Sequence, residues 1–198
     1  MHYLIEVNQQ KPGKLIVTGR KPSLKHSLIL VQSGVVLCRL GKLEYAIQAG
    51  EAFWLPFDCL TSWTIFPNTD FIDITVSART RTRLPNESGY VSRSEWLNQL
   101  IQKMVKTDRA SNVYPSLSNV LLNSLSEIAP SLYQSAATKL ISTWNPDNPI
   151  ENKEINDILL AREIFKLKQS GKKPQMIADQ LLNGSLTTLE KISKQYLP

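Results

Sequence analysis

Ser27–Pro56 reads SLILVQSGVVLCRLGKLEYAIQAGEAFWLP, and this stretch decides the fold. It contains four short apolar or alternating runs, Ser27–Val31, Val35–Leu40, Leu43–Ile47 and Ala52–Pro56, separated by glycines and polar residues. Runs of this length bounded by turn residues predict strands, not helices. Gln32-Ser33-Gly34 and Gly41-Lys42 separate neighbouring runs at tight-hairpin lengths. Glycine takes a positive φ at little steric cost, so consecutive strands are expected to pair.

Working outward, Leu15–Thr18, Ser62–Phe66 and Phe71–Val76 add three more runs of the same kind, the signature of an antiparallel sandwich or barrel. The pattern changes after Arg79. Thr80–Gly89 is polar, and Ser92-Arg93-Ser94-Glu95 then opens a run of helical period in which Trp96, Leu97, Leu100, Ile101, Met104 and Val105 form one apolar stripe. Leu117, Val120, Leu121, Leu125, Ile128 and Ala129 recur at helical spacing, followed beyond Pro130 by Leu132, Ala136, Leu140 and Ile141. Pro130 either kinks this helix or separates two. Asn145-Pro146-Asp147-Asn148-Pro149 has the composition of a linker and marks the best domain boundary.

The expected fold is therefore α+β, an N-terminal antiparallel β-barrel or sandwich followed by an all-α C-terminal region. Three parts are expected: a β domain over 1–92, a helical linker over 93–145 and a short helical segment over 150–198. There is no internal repeat of 20 to 50 residues, which argues against solenoids and propellers.

The chain has 198 residues, 42% of them hydrophobic and 20% charged, an ordinary globular composition with room for one full core and a smaller helical unit. No apolar run approaches the roughly 18 to 20 residues that cross a bilayer, and Met1–Gln10 lacks a signal-peptide layout, so a cytoplasmic protein with no membrane partner is expected. A net charge of +6 and a pI near 9.3 lean toward an anionic partner without demonstrating one. Cys38 and Cys59 form no C-x-x-C pair and read as reduced packing thiols.

The C-terminal segment carries the most informative local pattern. Ile158–Phe165 predicts a helix ending near Ser170-Gly171, where glycine suits a C-cap. Lys172-Lys173-Pro174 opens a second helix with an early proline, and Met176, Ile177, Leu181 and Leu182 supply apolar positions around the small Ala178. Asn183-Gly184-Ser185 makes a short turn and cap before a third helix, Leu186–Tyr196. Two short helices joined this way, with a small residue inside the first, match the helix-turn-helix that projects its second helix into a major groove.

His26–Val76 resembles the cupin-like N-terminal domain of the AraC/XylS family of transcription regulators. The resemblance lies in Leu28–Gly34, Leu43–Ile47 and Ala49–Pro56, the last following the P-G-D-h-h-h-h-P pattern with Ala49 for proline and Glu51 for aspartate. The C-terminal segment is similar to the family's I-A-x-x-h-G-h-S-x-x-S/T-h-x-R-x-F-K at Ile177, Ala178, Leu181, Thr187, Leu189, Lys191 and Lys194. It departs with Leu182 in place of the turn glycine, Lys191 in place of arginine and Ser193 in place of an aromatic. The family carries two helix-turn-helix units, and the segment after Pro149 has room for one, so specificity would demand dimerisation or a partner on the adjacent half-site.

The resemblance implies a DNA-binding regulator with a metal-free sensor or dimerisation domain, bound to double-stranded DNA, answering to a small-molecule effector, and acting as a homodimer or with a related regulator. Ser185, Leu186, Thr187, Thr188 and Glu190 are the base-reading candidates, and Lys172, Lys173, Lys191 and Lys194 the phosphate contacts. Phe53, Trp54, Trp63, Phe66 and Phe71 are the candidate ligand pocket, although strand alternation sets Phe53 opposite Trp54. Trp96, Leu97, Leu100, Ile101 and Met104 are the candidate dimerisation face. No cofactor is expected. Enzymatic cupins need several histidines, and this chain has only His2 and His26, with Thr61 where the second cupin motif places its ligand histidine, so no enzyme is expected. Residues 151–198 hold eight Lys/Arg against six Asp/Glu, a net of +2, weak for a DNA-binding unit. The alternative is an interaction protein of the same descent that binds little DNA itself and works through a partner regulator.

Overall fold

The computed structural model describes residues 4–198; His2 lies outside them. Ten strands come first: β1 (Ile5–Gln10), β2 (Ile16–Val17), β3 (Lys21–Pro22), β4 (Lys25–Ser33), β5 (Val35–Leu40), β6 (Leu43–Gln48), β7 (Ala52–Leu55), β8 (Leu60–Ile65), β9 (Asp70–Ser77) and β10 (Gly89–Tyr90). Six helices follow: α1 (Glu95–Val105), α2 (Tyr114–Ser126), α3 (Ala136–Ser142), α4 (Lys153–Gln169), α5 (Pro174–Leu181) and α6 (Leu186–Tyr196). The α+β expectation holds, with strands first and helices after. Pro130 lies between α2 and α3, so it separates two helices.

The strands form two antiparallel sheets. Sheet A runs β1-β9-β4-β7-β10, and sheet B runs β2-β8-β5-β6 with β3 also on β8. Gly41-Lys42 closes the expected β5–β6 hairpin. The Gly34 turn does not make a hairpin: β4 belongs to sheet A and β5 to sheet B, so the chain changes sheets there. The register of β4 against β9 shifts between Val31 and Ser33, and Gly34 sits at φ 85°. A Cβ on Gly34 would lie 2.8 Å from the Thr69 Cα, so the crossing point needs glycine for space as well as for φ.

The layers stack as helices, sheet A, sheet B, helices. Between the sheets lie Ile29, Val31, Val36, Cys38, Ile47, Phe53, Leu55 and Phe71. The opposite face of sheet A, with Leu28, Leu30, Trp54, Ile72 and Ile74, packs against Leu97, Leu100, Ile101 and Met104 of α1 and Leu121, Leu122 and Leu125 of α2. On the far side of sheet B, Leu37 and Ala46 join a cluster with Ile141 of α3, Ile158, Leu159 and Ile164 of α4, Ile177 of α5 and Leu189, Ile192 and Tyr196 of α6. Each fully buried Leu, Ile or Phe in these layers contributes roughly 1.5–3 kcal/mol of apolar transfer. Cover on both faces explains why β7 is buried at all four positions, where a half-exposed strand would alternate.

The helices beyond Asn145–Pro149 thus share a core with sheet B and do not stand apart as a tethered unit. The segment itself is a tight turn, in which the Asn145 side-chain oxygen accepts from the backbone N–H of Asp147 (3.0 Å) and Asn148 (2.9 Å). The edge of sheet B is capped by α3. Thr138 Oγ1 accepts from the Ala46 N–H at 3.1 Å and Ser142 Oγ from the Glu44 N–H at 3.3 Å, two hydroxyls one helical turn apart. They satisfy backbone groups that an open edge strand would offer to another chain.

Candidate nucleic-acid interface

The expected three-helix arrangement forms at the end of the chain. α4 ends at Gln169 with Ser170 as its C-cap, and Gly171 takes φ 81° beyond it. α5 begins on Pro174, whose missing N–H costs nothing in a first turn. Leu182 closes α5 with its N–H on the Ala178 carbonyl (2.8 Å), and the Gly184 N–H reaches back to the same carbonyl (3.0 Å). Asn183 and Gly184 both take left-handed backbone, φ 49° and 81°. The turn therefore tolerates Leu182, because the two following residues supply the reversal. Ser185 caps α6 by accepting from the Thr188 N–H at 3.3 Å.

One face of α6 is buried and the other is open. Leu189, Ile192 and Tyr196 pack inward, as do Ile177 and Ala178 of α5, whereas Met176, expected beside them, lies on the open side of the helix and is exposed. Thr187, Lys191 and Lys194, at the i, i+4, i+7 positions of one helix face, are exposed, and so are Leu186, Thr188 and Glu190. Ser185 is half-buried beneath the Thr187 and Thr188 hydroxyls, 3.2 and 2.8 Å away. Lys173 is exposed, while Lys172 is partly covered and donates to Gln180 Oε1 at 2.7 Å. None of Lys172, Lys173, Lys191 and Lys194 pairs with an acidic side chain among the described residues. Lys168, which the sequence reading passed over, donates to Ser193 Oγ at 2.9 Å and ties α4 to α6.

The C-terminal end of α6 is docked on the β1–β2 loop. Lys14 Nζ donates to the carbonyls of Lys194 (2.6 Å) and Gln195 (3.1 Å), where the helix leaves acceptors unsatisfied, and the Leu15 N–H donates to the Tyr196 carbonyl at 2.8 Å. A second tether lies on α4. Arg162, in the middle of the apolar run, is only 5% exposed. Its Nη1 donates to both Glu44 carboxylate oxygens at 2.7 and 2.8 Å, its Nε to Glu163 at 3.2 Å, and its guanidinium lies 5.8 Å from the Trp144 ring centroid. The local signal for this tether was an arginine inside Ile158–Phe165; its partner on β6 had none.

The five candidate pocket aromatics do not share a cavity. Phe53 and Phe71 are fully buried between the sheets, with Trp63 at the margin of the same cluster. There the rings of Tyr45, Phe53 and Tyr90 pack at 5.1 to 6.4 Å centroid distances and fill the space. Trp54 lies on the other face of sheet A, its Nε1 donating to the Pro85 carbonyl at 3.0 Å, and Phe66 packs into the C-terminal cluster. The candidate dimerisation stripe is likewise used within the chain. Leu97, Leu100, Ile101 and Met104 cover sheet A, and of the five only Trp96, 62% exposed, faces solvent.

Among the described residues, no group of three or more His, Cys, Asp or Glu is placed to hold a metal ion. His26 stacks on Trp54 and accepts the Phe57 N–H through Nδ1 at 3.1 Å, and burial lowers its pKa. Burial pushes the Cys38 thiol up to about 12, where it stays protonated beside Thr61. Both cysteines are free thiols. No helix of the described residues is long and apolar enough to cross a membrane.

The class this geometry defines is an α+β protein built from two antiparallel sheets with helices on both outer faces. Among solved structures, it is similar to an apo single-substitution form of ToxT from Vibrio cholerae (TM-score 0.47, 10% identity, 99% of this chain and 94% of that one). ToxT from Vibrio cholerae O395 gives TM-score 0.41 and 15% identity over 98% of this chain and 94% of that one. A cupin superfamily protein from Desulfitobacterium hafniense gives TM-score 0.35 and 8% identity over 39% of this chain and 71% of that one. No protein-family model and no curated protein sequence matches the chain.

Proposed function

We propose that the protein is a DNA-binding transcription regulator of AraC/XylS type, with a cupin-like β domain as sensor and α5–α6 as a helix-turn-helix. The observation that carries the reading is α6 itself. Its N-cap and three buried apolar residues fix it on α4 and α5, while Thr187, Lys191 and Lys194 stand in one exposed row. Residues at the start of such a helix meet base edges, and lysines further along meet phosphates. One helix-turn-helix reads a short half-site, and a homodimer or a related regulator on the adjacent half-site would extend what α6 reads. A small-molecule effector acts by binding two arrangements of the helical unit unequally. No catalytic role is assigned.

A second reading is favoured by the net charge of +2 over residues 151–198 and by the two tethers holding the helices on sheet B and on the β1–β2 loop. On that reading the chain binds a partner regulator and touches DNA little. Selection from a random duplex library separates the two. Enrichment of one motif, lost on Thr187→Ala with Lys191→Ala, supports the regulator; recovery of unselected sequence at low salt rejects it.

A further inference from the structure

We infer that the groove between the outer face of sheet B and α4 binds a compact small-molecule oxyanion carrying two or more negative charges. A cavity of about 400 Å³ is lined there by Arg39, Lys42, Glu44, Trp144, Arg162 and Lys166, among others. A neighbouring cavity of about 280 Å³ shares Arg39, Glu44 and Lys166 and adds Arg20. Together they gather five cationic side chains and two carboxylates. Glu44 is taken up by Arg162, and Glu163 is shared between Arg162 and Lys166 at 3.2 and 2.8 Å. Arg20, Arg39 and Lys42 form no ion pair with a described residue, and all three are exposed.

Unmatched cations on the sheet side of a groove raise the local concentration of anions, and guanidinium groups bind carboxylate or phosphoryl oxygens in fork geometry. The volume falls in the range of small-ligand sites. Ser142, Asn145 and Gln180 add polar groups to the wall, which suits a compact polar ligand better than one with a long apolar tail. Arg39 and Lys42 come from the sheet, Lys166 from α4, so a bound oxyanion bridges the β domain and the helical unit. The site does not depend on the DNA-binding proposal.

Isothermal titration of the full chain with pyrophosphate and with citrate, at constant ionic strength, tests the site. Saturable one-to-one binding at about 1 mM or tighter is expected for at least one of them. A pyrophosphate preference identifies a phosphoryl ligand, a citrate preference a carboxylate one. Arg39→Ala with Lys42→Ala should weaken binding at least about tenfold, while Lys103→Ala with Lys106→Ala, which removes equal charge from the exposed end of α1, leaves it unchanged. Should the first double variant lose its circular dichroism, Lys42→Glu alone, on the β5–β6 turn, carries the same expectation. No saturable heat, or equal weakening by both double variants, overturns the inference.

Discussion

Replacing Glu44 by alanine should loosen the C-terminal helices from sheet B. The Arg162 side chain is 6% exposed and the Glu44 side chain 16%, so the pair is poorly screened. Removing one partner of a buried pair costs about 3–5 kcal/mol, because the remaining charge is left in a weakly polar site. Glu163 still lies 3.2 Å from the Arg162 Nε, which puts the expected loss at the low end, about 3 kcal/mol. For a chain of this size that corresponds to a melting temperature about 6–12 °C lower. Urea titration of Glu44→Ala, Arg162→Ala and the double variant closes a cycle, and a coupling of about 2 kcal/mol is expected. The backbone N–H and carbonyl of Glu44 keep their Ser142 contacts in every variant, so the cycle reports the side chains. A loss under about 0.5 kcal/mol with no coupling would refute the reasoning and leave the helices held by apolar contacts alone.

Leu100→Glu should abolish cooperative folding, since Leu100 is 4% exposed against sheet A; a folded variant with an unchanged melting curve would contradict the assignment of that face. His26 supplies a pH dependence. Its pKa is lowered by burial, so the unfolded chain takes up the proton first. Stability is therefore full above pH 6.5 and declines as pH falls through the window between 6.5 and the lower folded value, where protonation also removes Nδ1 as acceptor for the Phe57 N–H. Melting temperatures of the parent and His26→Gln between pH 7.5 and 5.5 check this, and parallel curves would count against it.

Seven of the ten strands among the described residues and five of the six helices were legible in the sequence, because alternation, caps and turn residues act locally, while α3 was left open as either a kinked continuation of α2 or a helix of its own. β1 was missed: Ile5 and Val7 alternate toward the core, but Asn8-Gln9-Gln10 dilutes the pattern. β3 and β10 are two residues each, too short to show a period. The Gly34 turn had hairpin length, and only the neighbouring Thr69 backbone reveals a change of sheet. On α1 the stripe was visible but its destination was not, because an apolar face does not say whether sheet or second subunit covers it. The Ser185 cap of α6 was read directly, whereas the Glu44–Arg162 tether joins residues 118 positions apart and carries no local pattern. A lone buried arginine demands a distant carboxylate without naming it.

On the proposed function, α6 contacts DNA through its exposed row. Fluorescence anisotropy of the full chain against duplex fragments, followed across a salt series, tests it most directly. Saturable binding whose log affinity falls linearly with log salt is predicted, with a slope shallower by about 2 in Lys191→Ala with Lys194→Ala, one for each phosphate contact removed. Absence of binding at low salt, or a slope unchanged by the two substitutions, would contradict the account.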